Sequence, residues 1–138
     1  MTQAAIRRTL VAAAFLCAGC ARTLPDQDRR ILSAVPVVKT TSEFFWKEYR
    51  DNVAEANRKY WGQPVEIAGR VASVSKTGPA FLMFEQKEAP GGAGVKANLL
   101  EDQAAEILAS AVVGQRLRLK CYCAGLSDAL VLKSCVKP

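Results

Sequence analysis

The sequence predicts a β-rich α+β domain: a five-stranded OB-fold Greek-key barrel with an N-terminal helix and a short helix between strands 3 and 4. The first indication is the order of segments, since helix, three strands, helix and two strands is the chain order of an OB-fold. The second is length, because residues 41–138 supply enough chain for one small core and not for two. The third is Gly69 within the first strand, which is typical of the bulge or sharp bend that curls a small sheet into a barrel.

The first element is an amphipathic helix that begins near residue 41. Thr40 and Glu43 have the spacing of a capping box, which marks a helix start. Behind them the apolar residues recur at steps of three or four and form one apolar face: Phe45, Tyr49, Val53, Ala56 and Tyr60. Gly62 and Pro64 end this helix.

Five strands follow, each bounded by turn residues. Residues 65–71 alternate with period two, which predicts a half-buried strand. The remaining strands are predicted at 81–84, at 95–99, through Leu117, Leu119, Cys121 and Cys123, and at 129–136. Residues 76–79 form a turn and residues 88–94 a flexible loop. Between strands 3 and 4, residues 101–111 predict a short helix whose acidic first turn suits the helix dipole.

The N-terminus has the three parts of a secretory signal. Arg7 and Arg8 precede an apolar run at 10–16, and small residues lead up to Cys20. The apolar run is too short to cross a bilayer. These features predict that residues 1–19 are a signal peptide.

Residues 16–20, Leu-Cys-Ala-Gly-Cys, resemble a bacterial lipobox, which implies that Cys20 is lipid-modified and becomes the first residue. Residues 20–40 would then be a lipid-anchored tether, in which residues 31–32 and 37–38 either pack or form a short helix. Because Ala21 and not Asp follows Cys20, the resemblance implies an outer-membrane location facing the periplasm. Ordinary cleavage near Ala21 is the alternative.

Composition narrows the chemistry. The chain carries +6, and without Arg7 and Arg8 it retains 17 basic against 13 acidic residues, a mild excess that is typical of a solvated surface. It has no histidine, which rules out Ser-His and Cys-His catalysis and removes the commonest metal ligand. We therefore predict that the protein is not an enzyme and binds no cofactor or metal.

Several short motifs resemble the tRNA_anti-like family of bacterial OB-fold proteins. The similarity covers residues 43–136 and implies the OB-fold. It rests on Tyr49, Asn52, Ala56 and Tyr60, the strand 65–71, and the segments 114–117, 123–125 and 132–135.

The same resemblance implies a disulfide between Cys123 and Cys135, with Cys121 as a buried thiol or alternative partner. A tight hairpin turning near Leu126 would instead place Cys135 opposite Leu117, so that bond requires a wider loop. The other alternative is a soft-metal site made by the three cysteines, which we consider less favoured because no histidine completes it.

OB-folds bind ligands across strands 2 and 3 and the adjoining loops. Phe81 and Phe84 have opposite parity in strand 2, so only one of them faces a ligand. The candidate ligand-binding residues are Lys76, Phe84 and Lys96. We predict a non-enzymatic envelope lipoprotein whose OB-fold domain docks a protein or an envelope polymer. The alternative is a nucleic-acid-binding protein at the envelope, which a steep salt dependence would reveal.

Overall fold

The computed structural model describes residues 24–87 and 94–138. The predicted signal peptide, Cys20 and most of the predicted loop at 88–94 lie outside these residues. After a 3-10 helix at Arg29–Leu32, the elements in chain order are β1 Lys39–Thr41, α1 Ser42–Asp51, α2 Val53–Tyr60, β2 Pro64–Ser75, β3 Phe81–Phe84, β4 Val95–Leu99, α3 Glu101–Ser110, β5 Arg116–Leu126 and β6 Leu130–Val136.

Five of the strands close into a barrel. The sheet order is β1-β2-β3-β4-β6-β5, and an additional pairing of β2 with β5 joins the ends. β4 and β6 are parallel, whereas the other pairs within the barrel are antiparallel. This mixed five-stranded barrel, with α3 between β4 and β5, confirms the predicted OB-fold.

The long strand β2 is the hub of the barrel. Its first half lies between β1 and β5, and its second half pairs with β3. A register shift falls between Val71 and Ser73, close to the predicted irregularity at Gly69. Gly69 itself serves close packing, since an added Cβ would lie 2.5 Å from Ser42 Oγ and 2.6 Å from a ring carbon of Phe84.

The predicted single N-terminal helix is two helices that meet at Asn52. The backbone of Asn52 is extended, and its side-chain oxygen accepts a 3.1 Å hydrogen bond from the backbone N–H of Glu55, which caps α2. The cap of α1 is Thr41 rather than Thr40, because Thr41 Oγ1 accepts from the backbone N–H of Phe44 at 3.2 Å. Asn favours caps over helix interiors for this reason.

The apolar face of these helices fills one end of the barrel. Phe45, Tyr49, Ala56 and Tyr60 are buried as predicted, while Val53 beside the break is exposed. The Phe45 ring lies 5.4 Å from that of Tyr49 and 5.0 Å from that of Tyr60, at centroid separations typical of aromatic pairs. The helices therefore belong to the same core as the strands.

The described part of the predicted tether packs on the domain. Ile31 is fully buried, and the backbone N–H of Asp28 donates to Ser134 Oγ at 2.8 Å. Lys120 Nζ donates to the backbone oxygen of Ala34 at 3.0 Å, and β1 adds a parallel strand to β2. From Leu24 to Thr40 this segment is a packed strap, in which residues 31–32 belong to a short 3-10 helix, as the sequence allowed.

The disulfide joins Cys121 and Cys135, and Cys123 is a buried free thiol. The predicted Cys123–Cys135 pairing is therefore wrong, and the alternative partner Cys121 is the correct one. The cause is the position of the hairpin turn: Leu126 pairs with Leu130, so the turn is centred two residues later than expected. Moving the centre of an antiparallel hairpin by two residues moves each cross-strand partner by four.

Candidate ligand-binding face of the barrel

Strands β3 and β4 form the candidate binding face. In each strand alternate residues face the core, as the buried Leu82 and Val95 do. The outward residues are only partly buried and are brought together by the antiparallel register: Phe81, Met83, Lys96 and Asn98.

Phe84 does not belong to this face. It is 1% exposed and packs inward beneath Gly69, so its prediction as a ligand-binding residue is wrong. Phe81 is the half-buried outward aromatic instead. The sequence of β4 indicates which phenylalanine faces outward, because its buried Val95 and Ala97 alternate with the polar Lys96 and Asn98. Phe81 pairs with Asn98 and therefore lies on the polar side of the sheet.

Phe81 and Lys96 contact each other on the outward surface. The Lys96 ammonium lies 4.3 Å from the centroid of the Phe81 ring, within the range of a cation–π interaction. The two residues sit diagonally across the β3–β4 pair. Lys96 thus occupies the predicted face, with an aromatic partner different from the predicted one.

A cleft of about 670 Å³ opens over this pair. One side is the β2–β3 loop, from Thr77 to Ala80, and the floor is formed by Phe81, Lys96 and Asn98. Lys76 is exposed in the same loop, next to Thr77, but does not line the cleft. The volume is within the range of small-ligand sites.

The other side of the cleft comes from the N-terminal strap and α3. Gln27 bridges the two, because its Nε2 donates to the backbone oxygen of Leu99 at 3.2 Å and its Oε1 accepts from the backbone N–H of Glu101 at 2.8 Å. Leu100, at the N-cap position of α3, offers no side-chain cap, so Gln27 replaces it. The sequence did not indicate this wall, because Gln27 and Glu101 are 74 residues apart in the chain.

Asp26 contributes the acidic edge of the cleft. Its carboxylate lies 2.8 Å from Lys133 Nζ. The hydrogen bond and the positive charge of Lys133 lower the pKa of Asp26 below its ordinary value. The rim therefore carries an anion that is already paired with a cation.

The core beside β5 holds a thiol and a phenol in contact. Tyr49 Oη lies 3.1 Å from Cys123 Sγ. Burial raises the pKa of Cys123 and also that of Tyr49, so both groups are uncharged near neutral pH. A buried neutral thiol lacks the thiolate character that nucleophilic cysteines need.

The described ranges 24–87 and 94–138 offer no metal site. No group of three or more Cys, Asp and Glu side chains there is arranged to hold a metal ion. Cys121 and Cys135 are joined to each other, so the three-thiolate site that the sequence left open is not formed in the oxidised protein.

The barrel and its outward cleft define an OB-fold domain of the binding type. Residues 1–136 match the tRNA_anti-like family, and the chain belongs to it. It is also similar to a crystal structure of a "putative nucleic acid-binding lipoprotein" from Klebsiella pneumoniae, with 14% identity and a TM-score of 0.49 over 83% of this chain and 100% of that one. No curated protein matches the sequence significantly.

Within the described residues, none of the helices has the length and apolar character needed to span a bilayer. The longest of them, α1 and α3, have ten residues each.

Proposed function

We propose that this protein is a lipid-anchored binding module of the bacterial outer membrane that faces the periplasm and acts without catalysis. In this proposal Cys20 carries the lipid, and the cleft over β3 and β4 docks an envelope polymer or an envelope protein. The observation that carries it is the composition of the cleft: one aromatic side chain with one ammonium over it, among the neutral polar side chains of Gln27, Thr77 and Asn98 and the two acids Asp26 and Glu101.

The cleft composition favours a glycan or a polar peptide over a run of nucleotides. Single-stranded nucleic acid is normally held by successive stacked bases along a strongly basic groove. Here Phe81 is the one aromatic residue in the lining, and Lys96 is its one cation, in a lining that also holds the acids Asp26 and Glu101. Thr77 and Asn98 add neutral hydrogen-bonding groups of the kind that sugars and peptide backbones use.

The packed strap supports a membrane-proximal partner. Leu24 is held on the barrel, since its backbone oxygen accepts a 3.3 Å hydrogen bond from Lys133 Nζ. Four residues from Cys20 to Leu24 reach at most about 14 Å. Because Asp26 and Gln27 line the cleft, a lipid on Cys20 would keep the binding face close to the membrane surface.

Nucleic-acid binding is the second candidate, and the Phe81–Lys96 pair with exposed Lys76 nearby is the observation that favours it. One stacking position with two cations is a minimal version of a single-strand binding site. Such binding would weaken steeply as salt increases, since each phosphate contact releases counterions. Binding of a neutral glycan would change little as salt increases.

The test compares ligands on the full chain purified from membranes, after intact mass has shown whether Cys20 is lipidated. Co-sedimentation with isolated cell-wall polymer and in-cell crosslinking from position 81 report the envelope partner, while fluorescence anisotropy with oligo-dT reports nucleic acid. We expect an envelope ligand whose binding falls about tenfold with Phe81→Ala. Met83→Ala, on the same strand face but outside the cleft lining, is the matched control.

Each result has a definite reading. Oligo-dT binding that is lost with Phe81→Ala and falls steeply with salt would establish the second candidate instead. A chain with no lipid and no envelope ligand would refute the proposal. Equal losses with Phe81→Ala and Met83→Ala would show that the β3–β4 face binds nothing specifically.

A further inference from the structure

A second cleft, of about 510 Å³, lies beside the first turns of α1 and shares no lining residue with the β3–β4 cleft. Its walls are α1, the paired strands β2 and β5, and the residues that follow β3. The volume is that of a small-ligand site. The charges around it distinguish it from an ordinary surface groove.

Two arginines stand directly opposite each other in this cleft. Arg70 of β2 pairs in register with Arg116 of β5, and like charges in such positions repel. Each has one long ion pair, since Arg70 Nε lies 3.9 Å from Glu85 and Arg116 Nη2 lies 3.7 Å from Glu43; Arg70 Nη1 also donates to the backbone oxygen of Gly114 at 2.7 Å. Charge-assisted hydrogen bonds are shorter, at about 2.7–2.9 Å. Donors of both guanidinium groups therefore remain for an anion.

Two lysines add to the positive field. Lys47 of α1 and Lys87 after β3 also line the cleft, and neither forms an ion pair with the residues of 24–87 or 94–138. The lining thus has four cations against the two acids Glu43 and Glu85. A cleft with this excess attracts an anionic group and rejects a cationic one.

The cleft also has an aromatic side. Phe44 is 56% exposed, which is unusual for so large an apolar side chain. Trp46 is buried beside it, and its indole N–H has no hydrogen-bond partner in the described part of the chain. A buried donor without a partner costs about 1–3 kcal/mol, which a ligand oxygen that reached it would relieve.

We propose that this cleft binds the carboxylate of a peptide-like ligand between Arg70 and Arg116, with an apolar side chain of the ligand against Phe44. A planar carboxylate matches the fork of a guanidinium. This site is independent of the β3–β4 cleft.

Isothermal titration of the full chain with N-acetyl-Ala-Phe and N-acetyl-Ala-Leu as free acids, against the same peptides as C-terminal amides, tests the proposal. We expect the acids to bind and the amides to bind at least about tenfold more weakly. Arg116→Gln should cause a similar loss. Arg118→Gln is the matched control, since Arg118 is the next outward residue of β5, lies outside the cleft and pairs with Glu66 at 3.1 Å.

Glu43→Gln distinguishes ligand binding by the arginines from a purely structural role, which predicts no gain in affinity. Removing this carboxylate frees Arg116 and should tighten binding of the acids. Equal binding of acids and amides, no binding of either acid at millimolar concentration, or equal losses with Arg116→Gln and Arg118→Gln would overturn the proposal. Binding of inorganic phosphate without binding of the acids would overturn it as well.

Discussion

Cys121 and Cys135 lie opposite each other on the β5–β6 hairpin, with their Cα atoms 4.2 Å apart. Ser134, next to Cys135, has a positive φ of 56°, and the register shifts between Lys120 and Tyr122. This irregularity places Cys135 on the same buried face as Leu132, three residues earlier, and Cys121 is buried there as well. Cys123 is therefore left without a sulfur partner, in contact with Tyr49.

Loss of the Cys121–Cys135 bond should destabilise the domain by about 3 kcal/mol, because the bond closes a short loop of the unfolded chain. The 14-residue separation of the two cysteines sets that size. Guanidinium denaturation of Cys135→Ser against the wild-type chain measures the difference. Addition of reductant should destabilise the wild type and leave the variant unchanged.

Cys123→Ala is the control for this experiment. It removes the buried thiol but keeps the disulfide, so its loss of stability should persist in reductant and add to the effect of reduction. Peptide mapping without reduction should yield a Cys121–Cys135 crosslink. A crosslink to Cys123 in the native protein would contradict the assignment.

Most of the barrel could be predicted from the sequence because its elements are locally encoded. β3 and β4 have the predicted bounds, between the turn residues that flank them, and the acidic first turn marked the start of α3. The break at Asn52 was missed, since its apolar neighbours keep the same helical spacing on both sides. Asn52 is a strong cap only when its side chain faces the next turn, which periodicity does not reveal.

The candidate site was harder to predict because it depends on register and on distant chain. Lys96 lies on the outward side of β4, but the choice between Phe81 and Phe84 required the pairing of β3 with β4. The strap wall formed by Gln27 and Asp26 arises from contacts across 72 or more residues. No local pattern encodes such contacts.

Gly69→Ala should destabilise the protein by about 1–3 kcal/mol through overpacking. The added methyl group would lie 2.5 Å from Ser42 Oγ and 2.6 Å from the Phe84 ring, so α1 or β3 must shift. Combining it with Phe84→Leu creates space and should cost less than the two single changes together, by at least about 0.5 kcal/mol. Chemical denaturation of the four proteins measures this coupling. Strict additivity would show that Phe84 does not restrict position 69.

Gln27→Ala should remove the cap of α3 and loosen the wall of the β3–β4 cleft. The expected loss of stability is about 1 kcal/mol, the usual worth of a helix cap. Hydrogen exchange should increase at the backbone N–H of Glu101, which donates a hydrogen bond to Gln27 Oε1 in the native chain. Gln115→Ala is the control, because Gln115 is exposed and its side chain forms no hydrogen bond with the described residues. Unchanged exchange at Glu101 would show that Gln27 does not cap α3.

Loss of the Tyr60 phenol proton should lower the free energy of unfolding at alkaline pH. Burial, together with a 2.7 Å hydrogen bond to Glu48, raises the pKa of Tyr60 to about 12 from an ordinary value of 10.0. Between these values the unfolded chain loses the phenol proton while the folded protein keeps it. The free energy of unfolding therefore falls as pH rises from about 10 toward 12, by up to about 2 kcal/mol for this group.

Tyr60→Phe isolates that contribution. The variant keeps the ring beside Phe45 but has no proton to lose, so its stability should fall less steeply above pH 10 than that of the wild type. Part of the slope should remain, since burial also raises the pKa of Tyr49. Guanidinium denaturation at intervals from pH 8 to about 11.5 compares the two proteins, below the folded-state pKa of Tyr60. Parallel curves across this range would mean that Tyr60 titrates alike in both states, and that its bond to Glu48 does not hold the proton.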